Sequence, residues 1–287
     1  MNKKLSIITI NYNNLEGLKK TVESVVNQTW KAFEYIVIDG GSIDGSAAFI
    51  ESQSETIDYW VSEPDQGIYN AMNKGIAKAS GEYLLFLNSG DHFYTTHILT
   101  ENHQHLKNFD LIYFDLIHVG TTFSKVVSYP SKLIFSDLFF DTLPHQATFI
   151  KKKMFDDFGL YDESLKIVSD WKFFILALFK QHCSYHKVNT TLVVFYLDGL
   201  SSSIDYSAEN SQVLQSNFPA FYADYKELKR LRTANEEHQK IVSSNRVQML
   251  LEIEKTLFGK KLISVFFRIY ILIFSKKKLD SILKKNN

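Results

Sequence analysis

Residues 5–39 read LSIITINYNNLEGLKKTVESVVNQTWKAFEYIVID. The apolar, β-branched run at 5–10 is typical of a buried strand, and polar turn formers follow it. Residues 33–38 form a second run of the same kind. Residues 15–28, which lie between the two, predict a helix, because apolar side chains recur at helical spacing: Leu18, Val22, Val25 and Val26. A strand, a helix and a second strand in this order predict a parallel βαβ unit.

The same alternation continues along the chain. We predict further helices over 46–53, 67–79 and 168–180, and further strands over 59–62, 83–87, 107–122, 125–129 and 190–196. This pattern predicts an α/β fold with a Rossmann-like, mostly parallel sheet flanked by helices. Ligands bind such sheets beyond the carboxyl ends of the strands. Polar clusters follow predicted strands at 11–14, 39–44 and 88–91, so we expect a binding site at that edge.

Composition limits the class of protein. The 287 residues are 45% hydrophobic, enough for one large domain or one domain with an appendage. The single cysteine, Cys183, excludes an internal disulfide framework and a cysteine-rich zinc site, and it fits a reducing compartment. The amino terminus does not resemble a signal peptide. The most apolar stretch, 262–274, carries Arg268 and is too short to be expected to span a membrane.

Charge divides the chain into two parts. Residues 226–287 carry 15 Lys and Arg against 6 Asp and Glu, whereas the whole chain balances at 32 of each. We therefore expect an acidic body over 1–207 and a basic, helical extension over 208–287, with one long helix over 226–257. The lysine-flanked apolar stretch 262–274 suits a helix lying on an anionic membrane surface. The alternative is packing against the body or a second subunit; nucleic-acid binding is not expected.

Four motifs resemble glycosyltransferase family 2, the inverting family with the GT-A fold. They are SIITINYNN at 6–14, VIDGGSIDGS at 37–46, EPDQGIYNAMNKGIAKASGEYLLFLNSGD at 63–91, and VSDW at 168–171. The resemblance covers roughly residues 4–200, and its motif forms look most like those of enzymes that assemble bacterial surface polysaccharides. No G-x-G-x-x-G follows the first strand and no P-loop is present, which argues against other nucleotide enzymes such as dehydrogenases.

The resemblance implies a nucleotide diphosphate sugar as donor, more readily a UDP-linked hexose than a GDP- or dTDP-linked one. The donor-binding positions that it implies are Thr9, Asn11, Tyr12, Asp39, Asp65, Gly67, Asn70, Asn73, Lys74, Asn88 and Ser89. Two alternatives stay open at this point. Asp65 is also suited to capping the next helix, and Asn73 and Lys74 are also typical of a solvated helix face.

The resemblance also implies a metal ion and a general base. The 88–91 cluster matches the metal-binding Asp-x-Asp motif of the family, but Asp91 is its only carboxylate here. The resemblance implies that Asp91 and the diphosphate oxygens together bind Mg²⁺ or Mn²⁺. Asp170 matches the general base, with a helix N-cap as the alternative. His145 is expected near the acceptor or the diphosphate, with a purely structural role as the alternative. Trp171 is expected at a sugar or in the core.

Together these features predict an inverting hexosyltransferase that acts on a glycan or lipid-linked acceptor. It would be cytoplasmic and peripheral on the inner face of the cell membrane, with a homo-oligomer as a further option. The polar loop at 198–203 is either a flap over the site or an ordinary surface loop. The alternative function is a catalytically inactive relative that holds a nucleotide sugar or scaffolds an assembly.

Overall fold

The computed structural model describes residues 3–197, 199 and 205–274. Its strands are β1 (Leu5–Asn11), β2 (Phe33–Asp39), β3 (Tyr59–Ser62), β4 (Tyr83–Phe86), β5 (His92–Phe93), β6 (Leu111–Val119), β7 (Ser124–Val127), β8 (Thr148–Lys151) and β9 (Tyr185–Tyr196). Its helices are α1 (Leu15–Val26), α2 (Ser46–Ser52), α3 (Ile68–Lys78), α4 (Ile98–Asn102), α5 (Lys153–Phe158), α6 (Ser169–Phe179), α7 (Ser207–Asn217), α8 (Pro219–Val242), α9 (Asn245–Glu254) and α10 (Leu257–Phe274). The predicted loop at 198–203, apart from Gly199, lies outside the described residues.

The strands of the described residues form one sheet in the order β3-β2-β1-β4-β8-β6-β9-β5, and β7 pairs with β6. The first four strands are parallel, as the sequence predicts. β8 then runs antiparallel between β4 and β6, β6 and β9 are again parallel, and the short strands β5 and β7 are antiparallel to their neighbours. The α/β prediction is confirmed, with a mixed second half added to the parallel first half.

Helices cover both faces of β1, and this is why every residue of the strand is buried. On one face, Leu5 and Ile7 pack in the same apolar core cluster as Leu18 of α1. On the other face, α3 approaches so closely that a Cβ at Gly75 would lie 2.5 Å from Cγ2 of Ile8. Successive strand residues point to opposite faces, so one apolar run supplies both layers of the core.

The strand register aligns the polar ends of the parallel strands. Asn11 at the end of β1 lies opposite Asp39 at the end of β2, and Asp39 lies opposite Ser62 at the end of β3. On the other side of β1, the backbone N–H of Ser89 donates to the carbonyl of Ile10, 3.1 Å away. The polar clusters predicted from the sequence therefore share one edge of the sheet.

The C-terminal region differs from the single long helix expected over 226–257. α8 ends at Val242, and the hydroxyl of Ser244 accepts a hydrogen bond from the N–H of Val247 to cap α9. A serine side chain favours such a cap over a helix interior, because it competes for backbone hydrogen bonds. The expectation of one uninterrupted helix was therefore wrong. In the described residues, no helix combines the length and apolar character that a membrane crossing requires.

The described chain divides into two compact units, the first ending at Tyr222 and the second beginning at Ala223. The expected boundary between 207 and 208 is earlier. α7 belongs with the first unit because the carboxylate of Glu209 accepts hydrogen bonds from the backbone N–H groups at 166–168, at 2.9–3.3 Å. The N–H groups at 166 and 167 belong to the loop that leads into α6, and the third belongs to Val168, the N-cap residue of that helix.

Candidate active site

Asp39 is enclosed by hydrogen-bond donors of the protein itself. Asn11 Nδ2 and Ser42 Oγ donate to one carboxylate oxygen at 2.7 and 2.6 Å, and Ser42 N and Ser62 Oγ donate to the other at 2.9 and 2.6 Å. Burial raises the pKa of Asp39, but these hydrogen bonds outweigh it and hold the pKa below its ordinary value. Asp39 is fully buried. A ligand that bonded to it directly would have to displace a serine hydroxyl.

Tyr12 and Asp65 are accessible side chains at this end of the sheet. A Cβ at Gly40 would lie 2.4 Å from Oδ2 of Asp65 and 3.1 Å from Cδ2 of Tyr12, so both side chains meet over that glycine. Tyr12 is 66% exposed, an unusual degree of exposure for an aromatic ring beside buried polar groups. An open ring and a carboxylate side by side can stack on a planar base and accept hydrogen bonds from hydroxyl groups.

Residues of α3 that the sequence assigns to the donor make contacts within the protein. Asn70 and Asn73 donate to the two carboxylate oxygens of Glu163 at 2.9 and 2.8 Å. Lys74 Nζ lies 2.7 Å from the carboxylate of Glu63 and 3.2 Å from a neighbouring carbonyl. These contacts hold the loop before α6 and the loop before α3 in place. A phosphate at Lys74 would compete with Glu63.

The start of α3 bears on the alternative that Asp65 caps this helix. Asp65 Oδ1 accepts a hydrogen bond from the N–H of Gly67 at 2.9 Å, which fixes the turn leading into the helix. Gly67 itself occupies the N-cap position with φ +119°, and no side chain caps the helix there. Asp65 therefore stabilises the turn with one oxygen, and its other oxygen faces the space over Gly40.

The loop after β4 carries Asn88, Ser89 and Asp91. Asn14 Nδ2 donates to the carbonyl of Ser89 at 3.1 Å, and Thr21 Oγ1 donates to the carbonyl of Asp91 at 2.7 Å. The carbonyl oxygen of the Asn88 side chain is buried and has no hydrogen-bond partner in the protein. A buried oxygen of this kind normally has a hydrogen-bond partner. The Asn88 oxygen is therefore available to accept a hydrogen bond from a ligand hydroxyl.

Asp170 lies in the first turn of α6 and is held by two donors from elsewhere in the chain. Tyr69 Oη donates to its Oδ1 at 2.8 Å, and His145 Nδ1 lies 2.9 Å from its Oδ2. Burial raises the pKa of Asp170, but the hydrogen bonds from His145 and Tyr69 outweigh it and keep the pKa below its ordinary value. The N-cap alternative does not hold, because Val168 occupies that position.

A chain of hydrogen bonds joins Asp170 to the loop after β4. His145 Nε2 lies 3.3 Å from Asn88 Nδ2, and His145 Nδ1 contacts Asp170. The structure thus brings His145 between Asp170 and the loop after β4. Its expected place near the acceptor or the diphosphate stays a prediction. Tyr69, Ser42 and Ser62 were not predicted for the site, because nothing in their local sequence distinguishes them from ordinary surface or turn residues.

Two residues assigned to the site are buried away from it. Thr9 is fully buried and its hydroxyl donates to the carbonyl of Leu87 at 2.8 Å, so it is a core residue rather than a nucleoside contact. Trp171 is also buried, and its indole N–H donates to the carbonyl of Leu138 at 2.6 Å, as the core alternative expected. Trp171 follows Asp170 in α6, and successive residues of a helix point in different directions. Thr9 lies two residues before Asn11, inside β1 rather than at its end.

Among residues 3–197, 199 and 205–274, no group of three or more His, Cys, Asp or Glu side chains is arranged to hold a metal ion. Asp91 stands as a single carboxylate, as the motif indicates. A metal ion at Asp91 would therefore need most of its ligands from outside the protein.

The sequence matches known glycosyltransferases. The profile of glycosyl transferase family 2 matches residues 6–118. An uncharacterised glycosyltransferase of Mycobacterium tuberculosis is 33% identical over 217 residues, which cover 71% of this chain and 79% of the relative. A PGL/p-HBAD biosynthesis glycosyltransferase of Mycobacterium bovis is 30% identical over 175 residues, which cover 58% of this chain and 67% of the relative.

Solved structures share the fold. TarS of S. aureus in complex with UDP-GlcNAc superimposes with a TM-score of 0.57 and 16% identity, over 74% of this chain and 64% of that one. The mannosyltransferase PcManGT of Pyrobaculum calidifontis, in complex with GDP-Man and Mn²⁺, superimposes with a TM-score of 0.53 and 12% identity, over 96% of this chain and 88% of that one. Identities this low support the GT-A fold and nothing more. Its sequence relatives, however, are close enough to place the chain itself: it belongs to glycosyltransferase family 2.

Proposed function

We propose that this glycosyltransferase moves a hexose from a nucleotide diphosphate sugar, UDP-linked in the first instance, to a glycan or lipid-linked acceptor with inversion at the anomeric carbon. The observation that carries the proposal is the contact of Asp170 with His145 and of His145 with Asn88. It joins the predicted general base to the loop predicted to hold the diphosphate. Relatives named for PGL/p-HBAD biosynthesis support a glycolipid or polysaccharide product.

Donor binding is proposed at the edge formed by the ends of the parallel strands. Tyr12 would stack on the base, and Asp65 and the free side-chain oxygen of Asn88 would accept hydrogen bonds from donor hydroxyls. Asn11 and Asp39 would act from below by fixing the loop that carries Ser42. This division gives Tyr12, Asp65 and Asn88 the ligand contacts, and it gives Asn11 and Asp39 the task of holding the loop in position.

The chemical step needs a base for the acceptor hydroxyl. As that oxygen bonds to the anomeric carbon, the bond from this carbon to the diphosphate oxygen breaks and its electron pair leaves with the nucleotide. We assign the base to the site of Asp170, whose carboxylate is ionised at neutral pH because its pKa lies below the ordinary value. A single displacement of this kind inverts the anomeric configuration.

A divalent ion is proposed to enter with the donor. Asp91 would hold Mg²⁺ or Mn²⁺ together with the diphosphate oxygens and water, and the ion would offset the negative charge of the departing diphosphate. Since one carboxylate is a weak ligand set, metal affinity should be low without the nucleotide.

The first experiment is a panel of nucleotide sugars, scored by thermal stabilisation with and without Mn²⁺, because a ligand that binds the folded state raises its melting temperature. A donor that stabilises the protein is then tested for transfer. Asp170→Asn should lower transfer by about 10²–10⁴-fold and keep the nucleotide-induced stabilisation. The matched control is Asp157→Asn, an exposed carboxylate on α5 that pairs with Lys153. Stabilisation without transfer or hydrolysis in the wild type would favour an inactive, nucleotide-binding relative.

The C-terminal unit is proposed to hold the enzyme on the inner face of the cell membrane, which places the site in the cytoplasm. Large apolar side chains of α10 are widely exposed, for example Leu257 at 83%, Phe258 at 75% and Leu272 at 69%. Lys260 and Lys261 lie in its first turns. Apolar area next to lysines suits an anionic lipid surface.

Vesicle sedimentation tests this placement. The full chain should sediment with phosphatidylglycerol vesicles in low salt and bind phosphatidylcholine vesicles weakly. Lys260→Glu combined with Lys261→Glu should reduce binding, whereas Lys229→Glu combined with Arg232→Glu, on exposed positions of α8, serves as the charge-matched control. A dimer in solution that leaves vesicles unbound would favour the alternative of a second subunit.

A further inference from the structure

Both oxygens of the Asp170 carboxylate already have donors. Tyr69 Oη occupies Oδ1 at 2.8 Å and His145 Nδ1 occupies Oδ2 at 2.9 Å. The side chain of Asp170 is 12% exposed. An acceptor hydroxyl that gave its proton directly to Asp170 would have to displace one of these partners inside a largely closed site. Such a displacement would cost hydrogen-bond energy at the moment of reaction.

His145 has the opposite arrangement. Its Nδ1 hydrogen points to Asp170, so a neutral ring carries its lone pair on Nε2. Nε2 faces Asn88 Nδ2, 3.3 Å away, in the loop that also carries Asp91. This distance is long for a hydrogen bond, so a hydroxyl group can replace the amide as the partner of Nε2 at little cost.

We infer that His145 Nε2 receives the proton of the acceptor hydroxyl and that Asp170 is its positioning residue. The inference rests on the glycosyl transfer proposed above and refines the base assignment made there. The acceptor O–H bond breaks as its oxygen bonds to the anomeric carbon, and the proton forms a bond to Nε2. The ring becomes an imidazolium that carries a proton on both Nε2 and Nδ1. The nucleotide leaves with the electron pair of the broken glycosyl bond.

The physical reason is the pairing of a histidine with a buried carboxylate. Asp170 fixes the ring orientation and the Nδ1–H tautomer, and its negative charge stabilises the imidazolium that forms. Tyr69 in turn holds Asp170 from the other side: the single proton of its Oη is shared between Asp170 Oδ1 and the carbonyl of Ile167, which both accept. Three elements, α3, α6 and the turn at His145–Ala147, thereby hold one ring nitrogen toward the loop after β4.

The first test needs no substrate. Ring-nitrogen NMR of protein labelled in its 9 histidines identifies His145 by the signal lost in His145→Gln. The expected result is that the proton of the neutral ring lies on Nδ1, which faces the carboxylate of Asp170. A proton on Nε2 in the resting protein, with Asn88 turned to accept it, would overturn the inference, because that nitrogen could then take no further proton.

The second test uses turnover with the donor found in the panel. His145→Gln should lower kcat by about 10²–10⁴-fold, as loss of a general base does, and keep nucleotide-induced thermal stabilisation. Asp170→Asn should fall in the same range, and the double variant should be no slower than the slower single variant, since groups that act as a unit are not additive. His238→Gln, on an exposed position of α8, is the control and should match the wild type.

The outcomes distinguish the role of His145 from the proposed glycosyl transfer. If His145→Gln keeps most of its turnover while Asp170→Asn loses it, Asp170 takes the proton directly and the inference falls, but the proposed function stands. If the wild type transfers no sugar from any donor of the panel, the proposed function fails and the inference fails with it.

Discussion

Replacing Asp39 by Asn tests how the edge of the sheet is held together. An asparagine has nearly the same shape, but it has one carbonyl oxygen and an NH₂ group where the carboxylate has two acceptors. The N–H of Ser42, which donates to Oδ2 at 2.9 Å, would then face a donor. Ser62 Oγ can turn away from the NH₂ group, whereas a backbone N–H cannot.

The magnitude follows from these contacts. An N–H that loses its acceptor costs about 1–3 kcal/mol, and the bonds that remain lose the strengthening that a charged acceptor provides. We therefore expect Asp39→Asn to lower the free energy of unfolding by about 2–4 kcal/mol. For a unit of this size that is a fall of roughly 4–16 °C in melting temperature.

Urea unfolding followed by tryptophan fluorescence is the assay. The tryptophans Trp30, Trp60 and Trp171 all precede Tyr222, so the signal reports on the first compact unit. Asp157→Asn is the control and should stay within about 0.5 kcal/mol of the wild type, because exposed ion pairs contribute little. A loss below that limit in Asp39→Asn would refute the reasoning.

The pH dependence gives a second check on the same variant. The folded-state pKa of Asp39 is lowered, so its contribution is present above the unfolded pKa of about 3.9 and is lost as pH falls through the lower folded value. The difference in unfolding free energy between wild type and variant should therefore narrow in acid. A difference that grows as pH falls below 4 would contradict this sign.

Further predictions concern the groups around Asp170 and the donor. Glu209→Gln should lower unfolding free energy by about 1–3 kcal/mol in the same urea assay, because the backbone N–H groups at 166–168 lose a charged acceptor. Tyr69→Phe removes one of the two side-chain donors to Asp170 and should lower kcat about 10–100-fold at saturating donor; an unchanged kcat would argue against this network in catalysis. EDTA should stop turnover, and Mg²⁺ or Mn²⁺ should restore it; full activity in chelator would show that Asp91 has another role.

The enclosure of Asp39 changes how the motif at the end of β2 is interpreted. A family motif is expected to mark a ligand contact, yet here the carboxylate bonds to Asn11, Ser42 and Ser62 and has no surface of its own. Tyr12 is 66% exposed and Asp65 is partly exposed, so both side chains are accessible where Asp39 is not. The hydrogen bonds of Asp39 fix the geometry of the loop that carries Ser42.

The second half of the fold could not be predicted to the same degree. β8 lies antiparallel between β4 and β6 in the sheet. In the sequence, however, β6 follows β4 more closely than β8 does. Its residues Thr148–Lys151 form a short apolar run that has no periodicity to distinguish it from a helix segment. Its position between those two strands depends on pairing partners far along the chain.

The break between α8 and α9 has a local cause, but the prediction missed it. Serines occur within helices as well as at their ends, and the apolar positions on either side of Ser244 continue a helical pattern. The choice between a continuous and a broken helix depends on packing as well as on propensity, since most helical stability comes from tertiary contacts.

The amino-acid sequence by itself determined the parallel first half of the sheet and the edge at which its polar clusters meet. Both follow from short-range patterns, apolar runs of strand length and helical spacing, which need no knowledge of distant residues. Only the tertiary structure decided that His145 and Tyr69 meet at Asp170 and that Thr9 and Trp171 turn into the core. These outcomes depend on side-chain direction and on contacts between residues that lie 25 to 101 positions apart in the chain. The register and packing of distant elements determine such contacts.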